Sequence, residues 1–335
     1  MMNKKIGQQS IQFANPPIII STANIGGPKE KEGYQGENFD ILMEDNINGF
    51  DSWEKCESYM MEQVIAKAAE KANKQVSEIE CILAGDLLNQ LMSTHFAMRT
   101  LQRPFLGLYG ACSTMAESIL ISSMMIDGGF ANLVAAAASS HHDAAERQYR
   151  FPTELGVQRP PVAQWTVTGA GSSLISTVGD GPRVVGATIG KIVDMGIKDT
   201  NSLGAAMAPA AADTLLCHFN DFGIQPSEYD MIFTGDLGMI GKTMVIKLCA
   251  EHGFYLSNNY QDCGCMIYRE EQDAHAGASG CASSAVVFNG HIYKMLQKKQ
   301  YKKVLLVGTG SLHSPTSYQQ KESIPCIAHA VAIQA

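Results

Sequence analysis

The chain repeats itself, and the repeat limits what it can fold into more than any single motif does. Glu80-Cys81-Ile82-Leu83-Ala84-Gly85-Asp86-Leu87 returns 150 positions on as Asp230-Met231-Ile232-Phe233-Thr234-Gly235-Asp236-Leu237. Gly110-Ala111-Cys112-Ser113 returns at an offset of 170 as Gly280-Cys281-Ala282-Ser283. Val134, inside Asn132-Leu133-Val134-Ala135-Ala136, has its partner at the same offset of 170 in Val304, inside Lys303-Val304-Leu305-Leu306-Val307. Three matches in one order, with an insertion of about 20 residues in the second copy, predict a duplicated unit. The expected division is a first half, 1–178, with Cys112 at a buried helix start, and a second half, 179–335.

Each copy reads as strand, helix, strand, helix, strand. Residues 53–73 carry Tyr59, Met60, Val64, Ile65, Ala68 and Ala69 at helical spacing. Residues 113–125 form an apolar helix with Met115, Ile119 and Met124 among small residues, the pattern of a helix buried all round. Short apolar runs such as Cys81-Ile82-Leu83-Ala84 and Val304-Leu305-Leu306-Val307 suit strands covered on both faces. Alternation of this kind predicts an α/β architecture in which two units pack together and bury a pair of central helices between their sheets.

Composition sets the remaining bounds. With 45% hydrophobic and 17% charged residues the chain has enough apolar surface to fold. A net charge of −8 argues against nucleic acid as a partner. The most apolar stretch, 119–140, is interrupted by Asp127, Gly128, Gly129 and Asn132, too short for a membrane span. No apolar segment of signal-peptide length follows the Met-Met-Asn-Lys-Lys start, so synthesis in the cytosol is expected. Nine cysteines, an odd count, then read as free thiols, and Cys263-Gly264-Cys265 lacks the second ligand pair of a zinc site.

Cys112 follows the strand-like segment 105–109 and Gly110, where a helix begins. Unpaired backbone N–H groups and the positive end of the helix dipole would lower its pKa and favour the thiolate. Gly110 would supply the tight turn. Taken alone, Cys112 is equally a small buried packing residue, as most free cysteines are.

A strand running into Gly-Ala-Cys-Ser at a buried helix, within a duplicated α/β chain, resembles the thiolase and ketoacyl-synthase III superfamily. The likeness extends to Thr168-Gly169-Ala170-Gly171-Ser172 and to Val304-Leu305-Leu306-Val307-Gly308-Thr309-Gly310. Longer segments resemble the stage V sporulation AD family within it: 27–31, 83–90, 144–150, 207–214 and 319–325. The implied fold is thiolase-like, five layers αβαβα in two pseudo-symmetric halves. The superfamily's condensing enzymes add a histidine after a second-half strand and a histidine or asparagine in a later Gly-rich turn. Here the first position falls at Asp236, whose charge would repel a thiolate, and the second at Gly277, with His275 a possible substitute in space. A non-catalytic homologue is therefore expected. The alternative is an active acyltransferase or ketoacyl synthase using Cys112 and acyl thioesters, and a purely structural subunit is the third reading.

The sporulation family implies binding of dipicolinate (pyridine-2,6-dicarboxylate), free or as its calcium chelate, in the former catalytic pocket. It implies dipicolinate uptake into the developing spore with the other stage V sporulation A channel proteins, a peripheral place on the forespore inner membrane, and a role reaching into germination. A homodimer is usual among such relatives. The expected ligand-binding residues are Cys112, Ser113, His141, Arg147, Arg150, Asp236, His275, Gly277 and Ser279. The start at Cys112-Ser113-Thr114 offers amides to an anion, and Arg147 and Arg150 offer carboxylate forks unless they form an ordinary surface pair beside Glu146. His142 and Asp143 read as a solvated loop, and His313 as either structural or lining. With no Asp-x-Asp-x-Asp-Gly loop, no intrinsic metal site is expected, nor any cofactor. Gly26–Gly33 reads as a surface loop and 308–311 as a tight turn after the last strand. Residues 203–210 read as a lid or helix-packing surface, and Lys298, Lys299, Lys302 and Lys303 as a solvated helix end or a contact with anionic lipid.

Overall fold

The computed structural model describes residues 4–149 and 159–335. Naming only the elements used below, the first half contains β1 (Ile18–Gly26), α1 (Trp53–Lys71), β2 (Cys81–Gly85), α2 (Met92–Leu101), β3 (Phe105–Gly107), α3 (Thr114–Asp127), β4 (Leu133–Ser140), α4 (His142–Tyr149) and β5 (Gly169–Ser176). The second contains β6 (Arg183–Thr188), α5 (Leu203–Phe222), β7 (Met231–Thr234), α6 (Gly238–Glu251), β8 (Tyr260–Asp262), α7 (Cys281–Val287), β9 (Lys303–Ser311) and β10 (Cys326–Gln334).

The two strand sets have one topology. In space the first runs β1-β5-β4-β2-β3 and the second β6-β10-β9-β7-β8. In each, the first three strands are mutually antiparallel and the last three mutually parallel. The sets meet edge to edge at one antiparallel pair, Arg183 and Ile18. Five strands per copy, rather than three, is the main departure from the sequence reading. The segment 308–311, expected as a turn after the last strand, is the end of β9, and β10 follows it antiparallel along its whole length.

Layering follows from which faces are apolar. Helix α1 begins where Ser52 accepts the Lys55 amide at 3.3 Å. It buries Met60, Met61, Val64, Ile65 and Ala68 against the first sheet, each large side chain contributing about 1.5–3 kcal/mol. Helix α5 covers the second sheet with Leu203, Met207, Ala211, Leu215 and Phe219, and stops at Gly223, where φ is +64°. Between the sheets lie α3 and α7, with Met115, Ile119, Ala282, Ala285 and Val286 all at 0–1% exposure in one core. The order is thus helix, sheet, helix, sheet, helix.

One polar network pins the second half internally. His218 on α5 is fully buried, with Nδ1 2.7 Å from Thr188 Oγ1 and Nε2 2.7 Å from the Tyr229 hydroxyl. Burial, and secondarily Lys303, pushes its pKa down to about 3. The unfolded chain therefore takes up a proton at His218 near pH 6.5 that the folded chain refuses until about pH 3. Stability should fall with decreasing pH across that window, by about 1.4 kcal/mol per pH unit from this group. Urea denaturation between pH 7 and pH 4 checks the slope, and His218→Gln should flatten it by about one proton.

Candidate functional site

The seam between the halves forms beside Cys112. Two short strands, Trp165–Thr166 and Ala278–Ser279, pair in parallel across it, joining a segment of the first half to one of the second. On one side Ala111–Ser113 makes a turn of 3-10 helix before α3; on the other, Gly280 precedes α7 with φ at +100°. The positive φ at the nucleophile-position turn belongs to Ala111, at +48°, and not to Gly110 as expected. Such a conformation in a residue with a side chain is strained, and the Cys281 thiol meets the Ala111 carbonyl at 3.0 Å. Gly110 is small for another reason: a Cβ there would enter the Glu117 carboxylate and the Ser113 hydroxyl. Gly310 on β9 likewise lets that strand approach the Gly110 carbonyl.

Cys112 is 5% exposed and lines a cleft. The cleft encloses about 440 Å³ including its mouth. Its wall includes Tyr109, Tyr149 and His313 at one side, Thr166 and Ser279 from the paired strands, and Glu146 from α4. The two tyrosine hydroxyls lie 3.1 Å apart, and His313 stands edge-on to Tyr149 with ring centroids at 5.5 Å.

The thiol is governed by a carboxylate. Asp236, 1% exposed, accepts hydrogen bonds from Gly280 N at 2.9 Å, Ser279 Oγ at 3.1 Å and Thr309 Oγ1 at 2.8 Å. Burial pushes its pKa up, while the Cys112 thiol and these donors pull the other way. Cys112 is pushed well above the ordinary thiol range, first by burial, then by the Asp236 carboxylate and the Cys281 thiol. The expected lowering by the helix start does not occur: the Ser113 amide is already bonded to the Gly110 carbonyl at 3.1 Å, and the facing group is an anion. The arrangement is repeated across the pseudo-twofold. Cys281, at the start of α7, is held protonated by burial first and next by Asp86, the first-half counterpart of Asp236. Each central cysteine is thus held protonated in part by an Asp of the opposite half.

Of the expected site residues, the structure brings Cys112, Asp236 and Ser279 together. Ser113 is buried beneath them and bonds the Gly110 carbonyl at 2.7 Å. The others lie elsewhere. His141 is fully buried, its Nε2 2.6 Å from the Asn46 carbonyl oxygen, away from the cleft. Arg147 is ion-paired with Glu54 and lies over the Trp53 ring, on the outer face of the first half. His275 pairs with Asp273 at 3.2 Å. Gly277, with φ at +118°, is a turn whose carbonyl accepts the Trp165 amide. Arg150 lies outside the described residues. His142, read as solvated, is 5% exposed and stacks on Trp165 at 3.9 Å.

Further corrections follow from the chain around Trp165. The segment read as a loop at 26–33 contains a short helix, Pro28–Lys31, that buries Glu30 against Tyr268 and sets Lys29 over the Trp165 ring at 4.1 Å. Arg159, which no sequence motif singles out, pairs with Glu146 at 3.1 Å. Tyr109 could have been found from its place three residues before Cys112 in the same strand-to-helix segment. Tyr149 and Arg159 carry no local signal. Residues 203–210 begin helix α5, and Leu203 lines the cleft. Among the described residues no His, Cys, Asp and Glu cluster of three or more could hold a metal ion, and no helix is long and apolar enough to cross a membrane.

Comparison with known proteins gives both family and fold. A family model described as Stage V sporulation protein AD matches residues 7–334. Stage V sporulation protein AD of Bacillus subtilis (strain 168) is 44% identical over 331 residues, 99% of this chain and 98% of that protein. Among solved structures, 3-oxoacyl-[acyl-carrier-protein] synthase III from Aquifex aeolicus VF5 is similar with a TM-score of 0.59 at 14% identity, over 95% of this chain and 100% of that one. Xanthomonas campestris OleA, solved with bound lauric acid and lauroyl-CoA, is similar with a TM-score of 0.62 at 14% identity, over 96% and 99%. The last two likenesses are of fold.

The thiol–carboxylate pairing has a direct test. Alkylation of Cys112 by iodoacetamide at pH 8, followed by peptide mass analysis, should be slow. Asp236→Asn removes the repelling charge, so the thiol pKa should drop and the rate rise. A rate unchanged in that variant would mean that burial alone holds the thiol protonated.

Proposed function

Because this chain belongs to the Stage V sporulation protein AD family, we propose that it serves sporulation as a binding protein for dipicolinate and not as an acyl-transfer enzyme. The observation that carries the non-catalytic half of this reading is the carboxylate at the thiol. Acyl transfer from a thioester needs a thiolate and donors for the oxyanion that forms. Cys112 faces Asp236, an acceptor already engaged by three donors, and both groups disfavour negative charge on sulfur or substrate oxygen. His313 sits on the same cleft, but the groups that act on the thiol are Asp236, Cys281 and the Gly280 amide.

Support for a small planar ligand comes from the shape and lining of the cleft. Aromatic faces at Tyr109, Tyr149 and His313 suit a flat ring, and the hydroxyls of Thr166, Ser279 and the tyrosines suit carboxylate oxygens. The cleft's narrow interior favours a small acid over an acyl chain. Uptake of the ligand into the spore would be shared with the other stage V sporulation A proteins, with this chain peripheral to the forespore inner membrane. The chain would act as a homodimer. Its β3 edge carries Leu106 at 48% exposure, whereas in β8, the matching edge strand, Tyr260 is at 3%. An unpaired edge with apolar side chains is ordinarily covered.

Calorimetric titration with dipicolinate should give saturable heat at one site per chain. Ala145→Phe, which fills the cleft, should abolish it, and Arg147→Ala should leave it unchanged. Incubation with acyl-CoA should add no mass to Cys112; an acyl adduct would restore the enzyme reading. Absence of heat with the unaltered protein would remove the dipicolinate claim.

Sedimentation equilibrium should return a mass twice the 36.1 kDa of one chain, and Leu106→Asp should shift it toward one. A single-chain mass for the unaltered protein would overturn the dimer.

A further inference from the structure

A second concavity shares no lining residue with the cleft at Cys112, and its chemistry is the reverse. Its wall is built from the segment 31–38, from Arg269, and from Lys294 and Lys298 at the helix Tyr293–Gln297. It encloses about 1410 Å³ including its mouth. Four cations line it, Lys31, Arg269, Lys294 and Lys298, against two acids, Glu32 and Glu37. The described lining of the cleft has no lysine or arginine. In a chain of net charge −8, so much positive charge in one basin runs against the whole.

Backbone, not counter-charge, holds these cations in place. Arg269 Nε donates to the Glu32 carbonyl at 3.0 Å, and its guanidinium lies 5.1 Å from the Tyr34 ring centroid. Lys294, half-buried, donates to the Asn38 carbonyl at 3.1 Å. Among the described residues no carboxylate is ion-paired with any of the four, and Asp40, which acts on Lys294, is paired with Lys71 at 2.9 Å. Burial first pushes the Lys294 pKa down; Lys71 and Lys298 add to the effect and Asp40 opposes it. The loop behind Lys31 is tightly seated, since a Cβ at Gly33 would stand 2.1 Å from the Ile267 carbonyl oxygen and one at Gly36 2.1 Å from that of Lys31. Donors fixed before a ligand arrives lower the ordering cost of binding it.

We propose that this basin binds a phosphate ester, at a site separate from the cleft and independent of what the cleft holds. A phosphoryl group carries up to two negative charges and three strong acceptor oxygens. The fork of Arg269 and the ammonium groups of Lys31, Lys294 and Lys298 come from three segments of the chain, which suits a tetrahedral acceptor better than a planar one. Glu32 and Glu37 narrow the choice further. An extended acidic segment would run against them, whereas one compact anion can sit among the cations. The basin is much larger than a phosphoryl group, and Tyr34, 56% exposed in its wall, offers a ring face to the organic part of the ester. Soluble esters and phospholipid headgroups present the same group to these donors.

Two probes test the two sources: calorimetric titration with glycerol 3-phosphate, and co-sedimentation with vesicles of phosphatidylglycerol in phosphatidylcholine, set against phosphatidylcholine alone. Saturable heat with glycerol 3-phosphate supports the site with a soluble ester as its occupant. Sedimentation with the anionic vesicles and no such heat supports it with a lipid headgroup. Arg269→Gln and Lys298→Glu, both at exposed positions where the fold is not at stake, should each weaken the binding about tenfold, as for a charge-assisted bond lost. Lys247→Glu, equally exposed on α6 and outside the basin, makes the same charge change as Lys298→Glu and should leave binding as it was. Failure of both probes with the unaltered protein would overturn the site. So would an equal loss in Lys247→Glu, which would reduce the effect to overall charge.

Discussion

The thiol of Cys112 and the carboxylate of Asp236 come from different halves of the chain, and they meet only because the halves are stacked. Neither group is comfortable. The acid is buried beside a thiol, and the thiol is at a helix start where one would expect an anion. What makes the pair tolerable is the set of donors around Asp236, namely the consecutive Ser279 and Gly280 before α7 and Thr309 on β9. A buried carboxylate with three donors is satisfied, and one without them would cost several kcal/mol. The geometry of the seam therefore depends on Asp236 as much as on apolar packing. The same holds in mirror image for Asp86, which takes the Leu88 and Thr94 amides at 2.7 Å each.

That duplication explains why the most informative residues in the sequence were repeats rather than motifs. The match of Gly85-Asp86-Leu87 with Gly235-Asp236-Leu237 marks two structural staples at equivalent strand ends, and the offset of 170 marks the two central helices. Strands β2, β7 and β9, helices α1 and α3, and the layer order were legible because their apolar periodicity is strong. Strands β5 and β10 were not. Gly169-Ala170-Gly171-Ser172-Ser173 in β5 has little β-propensity, and it is a strand because α7 lies against it so closely that a Cβ at Gly171 would meet the Ala285 backbone. The apolar character of β10 is diluted by His329 and three alanines.

The site was half legible. A strand leading to a helix start located Cys112, and the repeat located Asp236 opposite it. The direction of the thiol's pKa was misread from the helix start alone, because burial outweighs it and the carboxylate that adds to burial is donated by the other half. Local reasoning also selected Arg147, which lies between the cleft-wall residues Glu146 and Tyr149 in sequence only; on an eight-residue helix, Arg147 and Glu146 leave in different directions, one toward Trp53 and one toward Thr166. Arg159 acquires meaning only through Glu146 and Trp165, and no spacing in the chain announces that.

Seen as electrostatics, the site is one in which every charge has been moved one layer away from the open space. Asp236 sits behind Cys112 and Ser279, Arg159 behind Glu146, and Lys29 behind Trp165. A catalytic cleft of this fold would place charge-handling groups at its surface, where they meet bonds being made and broken. Here the surface is left largely to aromatic rings, hydroxyls and a thiol that burial and Asp236 hold protonated. Among the described lining residues Glu146 is the carboxylate that reaches the wall, and Arg159 Nη2 lies 3.1 Å from it.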